Sequence, residues 1–235
     1  MNERVKKIFE ENIDLIDKND FESFFNQVTA YDISDVSSIL LGSGIDFLSY
    51  LDHIPDFCFG NLSIKTINIP STIEEIGQSA FAECIYLKKI DIPSSVTSIG
   101  RSAFARSGLE SITIPKTVRF LDNSAFYKCI YLKTASVSAG LSLGTRLFKG
   151  CVNLEEVHIN EGIDKLPRGM FWECNSLKDL YLPLSLYEIS KNVFYNCKNI
   201  TVHYNGKQSQ FKQIITEEPL DSYIEKIICT DGVIV

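Results

Sequence analysis

The sequence predicts an α/β solenoid. Short, similar turns stack with a parallel β-sheet along one face, a helical cap at the N-terminal end and a β-hairpin cap at the C-terminal end. Three regularities predict it. Phe81, Phe104, Phe126, Phe148, Phe171 and Phe194 follow one another at steps of 22 or 23 residues. Three residues after each stands Cys84, Ser107, Cys129, Cys151, Cys174 or Cys197. A spaced apolar triplet such as Leu87, Ile90 and Ile92 comes next. Self-similarity at a fixed period of roughly 20–50 residues marks repeat architectures.

Residues 1–43 lack the repeat. Val5, Ile8, Phe9, Ile13 and Ile16 lie at helical spacing and predict an amphipathic helix. Asp20 is placed to cap a second helix, whose apolar face holds Phe21, Phe24, Phe25 and Val28. Ser34 is placed to cap a third, running through Val36, Ile39 and Leu40 and stopped by Gly42. Such a segment either shields the edge of the first strand, which terminal units need, or docks on a partner. Exposed phenylalanines on it would also let two copies pair across a two-fold axis into a homodimer.

Residues 44–205 carry the repeats. A degenerate first copy, Ile54 to Phe59, aligns with Ile76 to Phe81 and continues through Ile64, Ile67 and Ile69. The triplets then run Leu87/Ile90/Ile92, Leu109/Ile112/Ile114, Leu132/Ala135/Val137, Leu154/Val157/Ile159 and Leu177/Leu180/Leu182. Pro70, Pro93, Pro115 and Pro183 close four of these segments, because proline has no N–H to give a ladder. A further apolar pair follows each, as in Ile73/Ile76 and Val96/Ile99. The fourth copy is irregular, with Gly140, Leu141, Leu143 and Gly144 in this stretch. Each unit is one strand, a turn, and a loop or helical turn bearing the Phe. It buries its apolar face only by stacking on its neighbours. The Cys and Phe columns are therefore core, with Cys58 and Cys229 fitting a core role as well.

Residues 206–235 form the other cap. Lys212 through Pro219 reads as a helical turn and loop, and residues 223 to 235 read as a hairpin whose turn is favoured by the Asp231-Gly232 pair.

These residues resemble the BspA-like leucine-rich repeats. Leu87 to Ser107 reads LKKIDIPSSVTSIGRSAFARS, close to the family's unit throughout. Ile200 to Ile214 is similar to the family's terminal unit, and Ile228 to Gly232 to its closing hairpin. The resemblance implies a right-handed leucine-rich-repeat solenoid that displays a protein-recognition surface, with no shared catalytic residues. It also implies bacterial surface proteins, parasitic protists, or short phage and prophage proteins as settings. The last often carry a small helical segment before the repeats.

The outward positions of the strands are the candidate binding face. They include Lys88, Lys89, Asp91, Glu110, Lys133, Glu155, Glu156, His158, Lys178 and Tyr181. The row reads as polar, mixed in charge and without an aromatic stripe, which suits either a recognition face or a solvated sheet. Aromatic residues collect elsewhere, at Tyr127, Trp172 and Tyr195 after the repeated Phe and at Tyr86, Phe120 and Tyr131. Trp172 is the single best contact candidate, since Trp is enriched at hot spots. The alternative is that it packs between neighbouring loops.

Composition narrows the function. A net charge of -7 argues against broad nucleic-acid binding. No run approaches the roughly 18 apolar residues of a membrane span. The charged start, Met1 to Lys7, has no apolar leader, which predicts a cytoplasmic chain. Seven Cys without CxxC spacing suggest neither a disulfide framework nor zinc. His53, His158 and His203 lack metal-ligand spacing, so no metal or other cofactor is expected. A Cys–His nucleophilic pair stays open, because such partners need only be close in space. The leading expectation is a non-enzymatic protein that binds and modulates a host protein from a phage or prophage. The alternatives are a structural or surface component (an adhesin or virion protein) and a Cys-dependent hydrolase.

Overall fold

Apolar residues two apart in extended chain share one face, and in this protein they face inward turn after turn. The computed structural model of the protein describes residues 3–29, 32–138 and 142–234. Helices α1 (Glu3–Glu11), α2 (Ile13–Asp17), α3 (Phe21–Asn26) and α4 (Ile33–Gly42) come first. The strands then follow as β1 (His53–Ile54), β2 (Glu75–Ile76), β3 (Ser98–Ile99), β4 (Ser111–Ile114), β5 (Phe120–Leu121), β6 (Thr134–Val137) and β7 (Ser142–Leu143). They continue as β8 (Glu156–Ile159), β9 (Lys165–Leu166), β10 (Asp179–Leu182), β11 (Glu188–Ile189) and β12 (Ile200–Tyr204). A short helix α5 (Gln208–Phe211) precedes β13 (Ile215–Thr216), β14 (Ile224–Cys229) and β15 (Gly232–Ile234).

The solenoid is present as expected, but its strands form three ladders and not a single sheet along one face. The main sheet has seven strands in the order β15-β14-β12-β10-β8-β6-β4. Its repeat strands pair in parallel one turn apart, as Ile112 with Ala135 and Ala135 with Val157. The further apolar pairs make a second ladder, β1-β2-β3-β5-β7, and a third, β13-β11-β9. Ile54 sits opposite Ile76, so the degenerate first copy is a true turn in register with the next. The apolar segments around Ile67 and Ile90 lie outside the regular strands, although Glu110 N–H still bonds to the carbonyl of Lys88 at 2.9 Å.

One core runs the length of the stack. The rings of Phe59, Phe81, Phe104, Phe126, Phe148, Phe171 and Phe194 stack in sequence. Phe81 and Phe104 are 5.3 Å apart and 1° from parallel. The loops that carry them are tight turns rather than helical ones. Residues two before and two after the ring take positive φ, as at Ser79 and Glu83 (φ 52 and 61), and at Ser124 and Lys128 (φ 60 and 53). Left-handed backbone costs about 1–2 kcal/mol per residue outside glycine. It turns alternate N–H groups toward the next coil. Ser79, Phe81 and Glu83 donate to the carbonyls of Arg101, Ala103 and Ala105 at 2.9, 2.7 and 2.8 Å. Three such bonds, worth about 1 kcal/mol each, offset the strain.

One turn is a residue shorter, with Ser107-Gly108-Leu109 where another has Cys84-Ile85-Tyr86-Leu87. The shortcut brings Gly108 so close that a Cβ would lie 2.1 Å from the Ile85 carbonyl oxygen. Only glycine fits there. Of the irregular stretch, Gly140 and Leu141 lie outside the described residues, while Leu143 belongs to β7.

The caps differ in detail from the sequence reading. The first helical pattern splits into α1 and α2 at Asn12, whose side chain donates to the Ile8 carbonyl, and Ile13 points to solvent. Asp20 does cap α3, accepting from Ser23 N–H. The residue at the cap of α4 is Asp32, not Ser34, and buried Asp32 also holds Arg4 of α1 at 2.8 Å. The stop after α4 is Gly44 (φ 72), two residues beyond Gly42. Gly44 N–H bonds to Leu41 O and Ile45 N–H to Leu40 O, the paired bonds of a Schellman motif. Phe21, Phe24 and Phe25 are buried rather than exposed. Phe21 and Phe25 pack on Phe47, and Phe47 packs on Phe59, so the column of rings runs on into the cap. At the other end the helical turn precedes Lys212, and Ile215–Thr216 is a strand paired with β11. The expected hairpin is present as β14 and β15, joined at Thr230 and Asp231.

Phe104→Ala opens a cavity in the middle of the column and is expected to cost about 3–5 kcal/mol in urea unfolding. Phe120→Ala, on a side chain 58% exposed, is expected to stay within about 0.5 kcal/mol. Equal losses for the two variants would mean that the stacked rings are not what holds the turns together.

Candidate functional site

The main sheet leaves one side of every strand facing out. Along β4, β6, β8, β10 and β12 the inward residues are buried and the outward ones are not. The sequence-predicted positions lie where expected. Lys88, Lys89, Asp91, Glu110, Lys133, Glu155 and Lys178 are exposed, and Glu156, His158 and Tyr181 are half-buried. Three ion pairs tie the flank of this row, Lys88 to Glu110 at 3.0 Å, Lys89 to Asp91 at 3.4 Å and Lys178 to Glu155 at 3.3 Å. Exposed pairs of this kind contribute little to stability.

The expectation of a face without aromatic character is corrected. His158, Tyr181 and His203 occupy matching positions on β8, β10 and β12 and stack as three rings. The centroids are 4.2 Å and 4.3 Å apart, and the planes lie within 5° and 11° of parallel. His203 and its neighbour Thr201 belong to the row as well, although the segment Ile200–Tyr204 lacks the spaced apolar triplet from which the outward positions of the other turns are read. Parallel in-register pairing places like positions about 4.8 Å apart, which forces flat side chains there to stack. Glu156 Oε1 meets His158 Nε2 at 2.6 Å, and Asp179 Oδ1 meets His203 Nε2 at 2.7 Å. Burial in the stack, helped by the Glu156 and Asp179 charges, pushes the Tyr181 phenol up from its ordinary value.

Trp172 packs against the loop of the next turn. It is half-buried, packs on Tyr195 with centroids 5.0 Å apart, and lies under Lys149, whose Nζ is 3.9 Å from the ring. Its Nε1 is buried without a hydrogen-bond partner among the described residues. Tyr86, Phe120 and Tyr131 are exposed as expected, at 51%, 58% and 53%.

The cysteines have a structural job that spacing alone does not reveal. The thiols of Cys84, Cys129, Cys151, Cys174 and Cys197 donate to the carbonyls of Phe59, Phe104, Phe126, Phe148 and Phe171, at 3.0 or 3.1 Å. Each therefore ties its own turn to the ring residue of the turn before. Cys58 bonds instead to Ser37 of α4 at 3.2 Å and joins the cap to the first turn. Burial pushes the thiols of Cys58, Cys84 and Cys197 up to about 12, and those of Cys151 and Cys174 well above the usual value. Each histidine meets a carboxylate, His53 through Asp52. Among the described residues no group of three or more His, Cys, Asp and Glu is placed to hold a metal.

The profile of the BspA type leucine rich repeat region matches in 6 copies over residues 52–143 and 138–215. The chain belongs to this family. Among solved structures, the BspA-type chain is similar to a leucine-rich repeat protein from Bacteroides ovatus (25% identity, TM-score 0.60), covering 78% of this chain and 54% of that one. A leucine-rich repeat protein from Eubacterium ventriosum is similar at 27% identity and TM-score 0.56, covering 78% and 51%. The T. pallidum leucine rich repeat protein shares the fold at 24% identity and TM-score 0.54, covering 69% and 74%. The chain thus spans about half the length of the first and second of these. No curated protein matches it. No helix among the described residues is long and apolar enough to cross a membrane.

Because all seven cysteines are buried and buried structural thiols are inert, a thiol-reactive probe at pH 8 is expected to leave all seven unlabelled in the native state. It should label all seven in denaturant. Rapid native labelling of one would assign that cysteine a chemical rather than a structural role.

Proposed function

We propose that this BspA-type repeat chain is a non-enzymatic protein-binding module whose contact surface is the outward face of the main sheet. One observation carries the reading. The face is a rigid row of outward side chains on strands locked in register, and at its centre stands the His158–Tyr181–His203 stack. Rigid aromatic groups give binding energy at low entropic cost, and aromatic residues dominate interface hot spots. Family membership supports the reading, since leucine-rich repeats are interaction folds and are generally not enzymes. The cysteines and histidines support it too, because the structure occupies them with carbonyls and carboxylates.

The finer reading is a phage- or prophage-encoded chain acting on a host protein in the cytoplasm. The helical segment packed ahead of the repeats supports it, as the family resemblance implies for short members of that origin. Recovery of the chain from the cell surface or from purified virions would overturn this part alone.

The test uses the immobilised chain and two face variants, Ser136→Arg on β6 directly beside His158, and Thr113→Arg on β4 one strand further out. A specific partner is expected to be retained by the native chain and lost, by tenfold or more in affinity, with Ser136→Arg. A partner held equally by all three proteins would move the binding surface off this sheet.

A further inference from the structure

Three of the acidic residues on the main face are matched by lysines, and two are not. Lys88, Lys89 and Lys178 neutralise Glu110, Asp91 and Glu155. Glu156 and Asp179 have no Lys or Arg partner among the described residues, yet they sit directly side by side on β8 and β10. Like charges opposite one another on neighbouring strands destabilise a sheet. Each carboxylate commits one oxygen to a histidine. That contact requires an N–H on Nε2, and a neutral ring supplies it without cancelling the carboxylate charge. Glu156 Oε2 and Asp179 Oδ2 meet no donor among the described residues. The result is two oriented oxygens, one strand apart, still carrying negative charge.

Beside them stands the aromatic stack, and its geometry selects the kind of partner. The faces of Tyr181 are covered by His158 and His203. Neither a nucleobase nor a sugar can lie on them, and the carboxylates repel phosphate. What remains for a partner is the ring edges, the Tyr181 hydroxyl and the two oxygens. Beyond His203 the same row turns apolar. His203 is paired with Ile228 and Ile228 with Val233, which is 51% exposed. Lys226, past Thr201 on the adjacent row, ends the acidic stretch.

We propose that the half of the face from β8 to β15 takes a segment of a protein partner that bears an arginine, its guanidinium bridging Glu156 and Asp179 and an apolar side chain resting on Ile228 and Val233. The proposal rests on the docking role given above and names the partner's chemistry. A guanidinium suits the site better than an ammonium. It is planar, weakly hydrated, and carries five donors that can span two carboxylates roughly 4.8 Å apart. From β10 to β15 there are three strand spacings, or roughly 15 Å. An extended segment covers that in about four residues, so the arginine and the apolar residue stand three to five positions apart.

The test pans a displayed library of random twelve-residue peptides on the full chain. Enriched peptides are then measured by fluorescence anisotropy against the native protein, Asp179→Asn, the double variant Glu156→Gln/Asp179→Asn, and Ser136→Arg. Enrichment of an arginine with an apolar residue three to five positions away is expected. Affinity should fall tenfold or more in the double variant and severalfold in Asp179→Asn. It should also fall severalfold when the peptide arginine is replaced by lysine. Both carboxylates are partly exposed, so matched melting curves confirm that the variants fold. Peptides insensitive to the double variant but lost in Ser136→Arg would overturn the guanidinium proposal and keep the docking role. Peptides insensitive to every variant, or no enrichment at all, would overturn both.

Discussion

Everything in this molecule depends on successive turns meeting in the same register. The constraint is strongest at the repeated phenylalanine. There the ring stacks on its neighbours, the flanking left-handed residues aim three N–H groups at the next coil, and a thiol from the following turn bonds to the ring residue's carbonyl. These contacts span one period and no further, so each turn is held by the two beside it. The sheets inherit their pairing from this alignment. The short turn at Gly108 shows its force, because the chain gives up a side chain there rather than let the ring of Phe104 leave the column.

The period made the fold legible. Phe81 through Phe194 and the triplets such as Leu109/Ile112/Ile114 located the core, and the structure places them there. Less was readable where the signal is a backbone conformation. Ser79, Glu83, Ser102 and Lys128 are ordinary residues in left-handed geometry, imposed by the stack and not by their own preferences. Asparagine at 61, 192 and 196 and glycine at 150 and 169 are local hints. Two-residue strands such as Ser98–Ile99 are equally silent, since an isolated V-x-x-I pair looks the same in a loop. In the cap, Asp32 and Ser34 are both good caps by type, and Asp32 holds the position while its carboxylate binds Thr29 and Arg4 instead of the helix N–H groups.

The candidate face was legible in its membership and not in its arrangement. Outward positions follow from alternation, so Glu156, His158 and Tyr181 could be named. That they form one stack with His203 depends on the strand after the last regular repeat continuing the sheet in register. That register is a long-range fact. The same is true of the carboxylates, which look like members of a mixed row until ion pairing is traced residue by residue. The face is therefore uneven, with mixed, lysine-bearing charge toward β4 and an aromatic, acidic and apolar sector toward β15.

The thiol column has one more consequence, for the relation between this chain and its surroundings. Seven cysteines usually tie a protein to a compartment, because either reduction or oxidation undoes what the other builds. Here each sulfur is buried. Those of the repeat column already donate a proton to the neighbouring coil. The fold asks nothing of the ambient redox potential and is indifferent to it. Its cysteine content, high as it is, holds no record of where the protein works.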